Sequence, residues 1–139
     1  MKGLLKRSVS SDPFSIDAAL FALRLGVGSM MAFSHGLKKV TGLGTFFDSV
    51  ARHGLPFPGL LAPAAALSEF VGGLLLALGL FTRSAASFVL ITMLVAAFWV
   101  HRADPFSKKE MALLYACCTL VLLLAGPGKW SLDAHWRRR

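Results

Sequence analysis

The stretch GLLAPAAALSEFVGGLLLALGLF, residues 59–81, decides the fold. It is an apolar run of the length, about 20 residues or slightly more, that a helix needs to cross the hydrocarbon core of a bilayer. It carries a single ionisable group, Glu69. Only Thr82 and Arg83 separate it from the next apolar run, residues 84–101. So short a joint makes the two helices antiparallel neighbours.

Outward from this pair, residues 16–37 form a first apolar segment, interrupted at Arg24, and residues 110–125 a fourth. The expected fold is all-α, a four-helix transmembrane bundle forming one domain over residues 1–139. The third and fourth segments are slightly short, so they borrow a turn from their flanks or meet a thinned bilayer. Composition agrees. The chain is 55% hydrophobic and 16% charged, against about one quarter charged in soluble domains, so a polar outer face on every helix cannot be built. The basic start followed by an apolar run resembles a secretory signal, but Arg24 interrupts the core that such a signal needs. The segment reads as a retained first helix.

The net charge of +8 does not read as a nucleic-acid surface, because the basic residues fall in short clusters between the apolar runs. Lys2, Lys6, Arg7, Arg83, Lys129 and residues 137–139 flank one side of the four segments; Lys38, Lys39, Arg52, Arg102, Lys108 and Lys109 flank the other. The bias places both termini in the cytoplasm. Within the longest connection, residues 38–58, Phe46, Phe47 and Val50 share a face over residues 45–53, which suits a short interfacial helix or an ordinary polar loop. Gly54, Pro56 and Pro58 end it.

The chemistry lies in the ionisable residues inside or at the edges of the apolar runs, Arg24, His35, Glu69, His101 and Glu110. Such groups usually pair inward or line a polar cavity. Arg24 lies roughly 12 Å into its helix and Glu69 about 16–18 Å from the same side, at 1.5 Å per residue. Their depths nearly coincide, so an Arg24–Glu69 ion pair is expected. Arg24, Gly28, Met31, Ala32 and His35 form one stripe. Glu69, His35, His101 and Glu110 would then enclose an outward-facing pocket with Lys39 at its rim. A buried pair that only fixes helix register remains the structural alternative.

Ser68, Gly72 and Gly73, with Ala65 and Leu76, give the second segment a small face for close packing. Cys117 and Cys118 are adjacent and read as small apolar residues rather than a relay. No metal site is expected. Haem held between His35 and His101 is disfavoured, since two histidines alone do not specify one.

The ordered set Arg24-Leu-Gly, His35-Gly-Leu-Lys-Lys39, Glu69-Phe-Val-Gly-Gly73, Gly79-Leu-Phe-Thr-Arg83, His101, Glu110 and Gly126-Pro-Gly-Lys-Trp-Ser-Leu-Asp133 resembles the DoxX family of small bacterial membrane proteins over nearly the whole chain. The resemblance implies a four-helix bundle in the bacterial inner membrane, with motif positions at Arg24, His35, Lys39, Glu69, His101 and Glu110. Some members resemble the membrane subunit of a thiosulfate:quinone oxidoreductase, and others are tied to redox and thiol-stress partners. The short, basic stretch 102–109 departs from the pattern. Two function classes follow. One is the membrane subunit of a redox system, in which the pocket holds a quinone and a soluble oxidoreductase supplies electrons. There His35 or His101 donates to a carbonyl and Glu69 or Glu110 relays protons. The other is a carrier, binder or assembly protein for a small solute or proton.

Overall fold

A computed structural model describes residues 12–138. Lys2, Lys6, Arg7 and Arg139, part of the charge bias above, lie outside the described residues. Those residues are all-helical, with no strand among them. α1 spans Pro13–Thr41. It starts where proline already has a helical φ and where the Asp12 carboxylate accepts from the Phe14 N–H. α2 is Leu43–Arg52, α3 Pro58–Leu78 and α4 Thr82–Val100. α5 is Phe106–Ala125 and the short α6 is Leu132–Trp136.

α1, α3 and α4 are each long and apolar enough to cross a membrane. α5 has 20 residues, but its first turns carry Lys108, Lys109 and Glu110. Helix ends differ from the apolar pattern in both directions. α1 runs on through Lys38 and Lys39, because long cationic side chains snorkel without ending a helix. α3 stops before Phe81, at Gly79, whose φ of +69° allows Leu80 N–H to turn back to the Leu75 carbonyl at 2.9 Å. The connection expected to be either helix or loop contains a ten-residue helix, α2.

Two stretches depart from α geometry, Met31–Gly36 in α1 and Ala96–Val100 at the end of α4; both are π-helical. A π turn inserts a residue into the helical period and shifts the phase of everything after it. Both lie toward the end of the molecule that carries α2.

The molecule is small-inside and large-outside. Ala62, Ala66, Ala85, Ala86, Ala97, Ala112 and Ala116 are buried, while Phe33, Leu60, Phe88, Ile91, Phe98, Leu114 and Leu124 are exposed. In hydrocarbon nothing drives large apolar side chains inward, and small residues let backbones approach. α1 packs on α3, α3 on α4, α4 on α5 and α5 back on α1. The closest seam is α1 against α3. A Cβ on Gly28 would stand 2.5 Å from the Ala77 nitrogen and the Gly73 oxygen, and one on Gly73 would stand 2.7 Å from the Ala32 nitrogen. Gly36 lies as tightly against the Phe70 backbone.

Gly28→Ala should therefore destabilise the protein by about 1–3 kcal/mol, read as a lower unfolding midpoint in detergent. Gly26→Ala, which meets nothing within 4 Å, should leave stability unchanged or raise it. Equal losses at the two positions would show that the seam is not tight.

Candidate functional site

The α1–α3 seam sets the site. With Gly36 pressed on the backbone at Glu69 and Phe70, the chain arrives beside Glu69 with Lys39 nearly one turn further on. Lys39 Nζ donates to Glu69 Oε1 at 2.5 Å. The carboxylate is fully buried, whereas the lysine side chain keeps 29% of its exposure. Lys39 Nζ also lies 4.8 Å from the centre of the Phe46 ring on α2, a cation–π contact. Glu69 Oε2 has no hydrogen-bond partner among the described residues.

Beside this pair lies a cavity of about 490 Å³ between α3 and α4, roofed by α2. Its polar lining is Lys39, Ser49, His53, Ser68, Glu69, Thr92 and His101; the rest is alanine, valine, leucine, isoleucine and phenylalanine. Thr92 Oγ1 lies 3.0 Å from Ser68 Oγ. Trp99 Nε1 donates to the His53 carbonyl at 3.3 Å, which ties the end of α2 to α4. Phe88 and Ile91, on the cavity wall, are largely exposed, so one side of the cavity faces the molecule's apolar exterior. His101 Nδ1 lies 2.7 Å from Asp104 Oδ2. That hydrogen bond holds the Asp104 carboxyl below its ordinary value.

The expected constellation divides. Glu69, Lys39 and His101 meet at the cavity. His35 does not line it; its ring stands edge-on to Tyr115, 5.4 Å between centroids. The π turn displaces His35 from the stripe begun at Arg24, although Gly28, Met31 and Ala32 are buried as expected. Glu110 is exposed at the start of α5, outside the cavity. Ser68, Thr92 and His53 were missed as site residues. Ser68 and Thr92 lie equidistant from Leu80 at the centre of the α3–α4 turn, which is the sequence signal that would have paired them.

The Arg24–Glu69 pair does not form. Arg24 is buried at the opposite end of the bundle. Its Nη1 donates to the Ala77 carbonyl at 2.8 Å, its Nε to the Pro127 carbonyl at 3.1 Å, and its Nη2 to the Trp130 carbonyl. Ala77 lies in the last turn of α3, where free carbonyls carry partial negative charge. Glu69 is about 12 Å further along that helix. Arg24, eleven residues into α1, meets the last turn of α3, so α1 begins about 16 Å beyond the end of α3. Equal depth requires those two ends to be level, and nothing in the apolar pattern shows that residues 126–131 fold inward beneath α3.

The motif glycines and aspartate serve this end. A Cβ on Gly79 would stand 2.6 Å from Arg24 Nη1 and from Ser131 Cβ. The Asp133 carboxylate accepts from the backbone N–H groups of Phe81 and Thr82 at 2.8 and 2.9 Å, capping α4. Asp133 N–H donates to the Gly79 carbonyl.

The helices and their reversed core define a small helical membrane protein. The DoxX family model matches residues 19–102, and the chain belongs to that family. It is 31% identical to the inner membrane protein YqjF of Escherichia coli (strain K12), over 70% of this chain and 77% of that protein. An uncharacterized protein of Haemophilus influenzae is 40% identical over 50% of this chain, which spans 57% of that relative's length. A second uncharacterized Haemophilus influenzae protein is 32% identical over 73% of this chain and 72% of its own. No solved structure matches the chain.

Because Arg24 and Glu69 share no partner, Arg24→Gln and Glu69→Gln should be additive to within about 0.5 kcal/mol. Lys39→Met and Glu69→Gln should not be. Removing one member of a buried pair costs about 3–5 kcal/mol, and removing both costs less than the sum. Unfolding midpoints of the two double-mutant cycles in detergent measure this. Coupling in the first cycle and none in the second would reverse the assignment.

Proposed function

We propose that the chain is the membrane subunit of a quinone-linked redox system, with the Glu69 cavity as the site for the quinone headgroup. Glu69 carries this reading. It is a fully buried carboxylate with one oxygen on Lys39 and the other without a partner among the described residues, beside a cavity with apolar walls. A ligand with a polar head and an apolar body suits that mixed lining, and the exposed wall at Phe88 and Ile91 suits a ligand arriving through lipid. Lys39 and His101 are the donors for a carbonyl oxygen. Glu69, held by Lys39, is the group to pass a proton to or from a ring oxygen. Reducing a quinone to its quinol takes two electrons and two protons, and a soluble oxidoreductase is the electron donor in this scheme.

The proposed setting is a four-span bundle in the bacterial inner membrane with both termini cytoplasmic. α5 is the fourth span. The last 15 of its 20 residues, 111–125, carry no charge, and the helix lies along α4; the cations at its start fit an outer interface. A green fluorescent protein fused after residue 139 should fluoresce, whereas alkaline phosphatase fused there should be inactive. The opposite pair of results would invert the topology.

Purification in mild detergent followed by lipid extraction tests the ligand. Quinone should accompany the wild-type chain at near-stoichiometric amounts and fall at least tenfold in Glu69→Gln. Vesicles that move protons or a solute, with no quinone bound to the protein, would assign the cavity to a carrier instead.

A further inference from the structure

The second large cavity lies at the other end of the bundle and belongs to no part of the redox scheme. It measures about 650 Å³ and is bounded by Arg24, Lys129, His135 and Arg138 on its polar side and by Phe21 and Trp130 among its apolar residues. Arg24 forms its floor. Its three hydrogen bonds all go to neutral carbonyls. They leave the second N–H on each terminal guanidinium nitrogen without an acceptor among the described residues. No carboxylate lies within 4.0 Å of Arg24 among the described residues. Its favourable charge partner, the Asp133 carboxylate, makes no direct contact with it and is spent on the Phe81 and Thr82 N–H groups. A buried cation without a contacting counter-ion is costly, and carbonyl dipoles compensate only part of its charge. The cavity it borders is rimmed by further cations. Lys129 is largely exposed and reaches Asp17 at 3.3 Å. Arg138 and His135 are exposed and lie C-terminal to the loop that holds Arg24.

The apolar side identifies the source of the missing charge. Phe14 and Phe21 stand edge-on to Trp130, with ring centroids 5.3 and 5.9 Å apart, and Trp136 packs on Phe81. Tryptophans clustered at one end of apolar helices mark the headgroup level of a bilayer. An anion held there by cations, next to an exposed aromatic and aliphatic surface, is a phosphodiester with acyl chains attached. We infer that this cavity binds the headgroup of an anionic phospholipid. The phosphate sits over the Arg24 guanidinium between Lys129 and Arg138, and the chains run along Phe21 and Leu25.

The full chain in dodecyl maltoside micelles, titrated with phosphatidylglycerol, should show a saturable rise in unfolding midpoint. Arg138→Gln should weaken the apparent affinity about fivefold, the contribution of one cation near an anionic surface. Lys129→Gln should act similarly. Arg138 makes no side-chain hydrogen bond or ion pair among the described residues, so its variant should keep the lipid-free midpoint, which separates lost binding from lost folding. Phosphatidylcholine should produce no more than a small, unsaturable shift. Equal affinity for phosphatidylcholine, or no loss in either variant, would overturn the inference. A full shift produced by inorganic phosphate alone would also overturn it, in favour of a free-anion site.

Discussion

Direct backbone contact between α1 and α3, at Gly28, Gly36 and Gly73, governs the arrangement of both ends. Residues without side chains allow the helices to touch along much of their length, so neither can rotate or slide without a clash. Toward one end this contact brings Arg24 level with the last carbonyls of α3. Toward the other it sets Lys39 against Glu69. Two charged groups that are costly in hydrocarbon each gain partners through one seam, of a different kind at each end.

The two ends consequently do different work. The Arg24 end is dense with backbone-directed hydrogen bonds. Arg24, Asp133 and Gly79 gather the α3–α4 turn and the loop after α5 into one cluster. At the Glu69 end the contacts are sparser. A single ion pair, a hydroxyl pair and a tryptophan-to-carbonyl bond surround open volume, and the helices there relax into π geometry. π turns often accompany functional sites because they re-aim side chains that a regular helix would direct elsewhere. Here the turn in α1 sends His35 to Tyr115 and leaves Lys39 to meet Glu69.

Much of the fold was legible in the sequence. Apolar run lengths located α1, α3, α4 and α5, and the two-residue joint announced the α3–α4 hairpin. Arg24 and Glu69 stood out as charges in apolar surroundings, and both are buried. Their partners were not legible. Matching depths from helix ends assumes that the ends are level, whereas α1 starts well beyond the end of α3, and Arg24 is served by carbonyls, which every residue has and no pattern distinguishes. His35 was lost to a π turn, for which the local stretch MAFSHG gives no composition signal. Glu110 failed for a simpler reason. α5 begins a turn earlier than its apolar run, so its first charges stay outside.

The partners of Arg24 also carry a consequence in time. Two of its acceptors, Pro127 and Trp130, lie 103 and 106 residues downstream. At roughly 5–20 residues per second, a ribosome needs on the order of 5–20 s to make them after Arg24 emerges. During that interval the first helix holds a cation that its own sequence cannot satisfy. Its lodging in the membrane is provisional until the last tenth of the chain is synthesised, folds inward and caps it. A chain truncated before that loop would lack more than a tail, because its earliest helix would never receive the partners that make it stable in lipid.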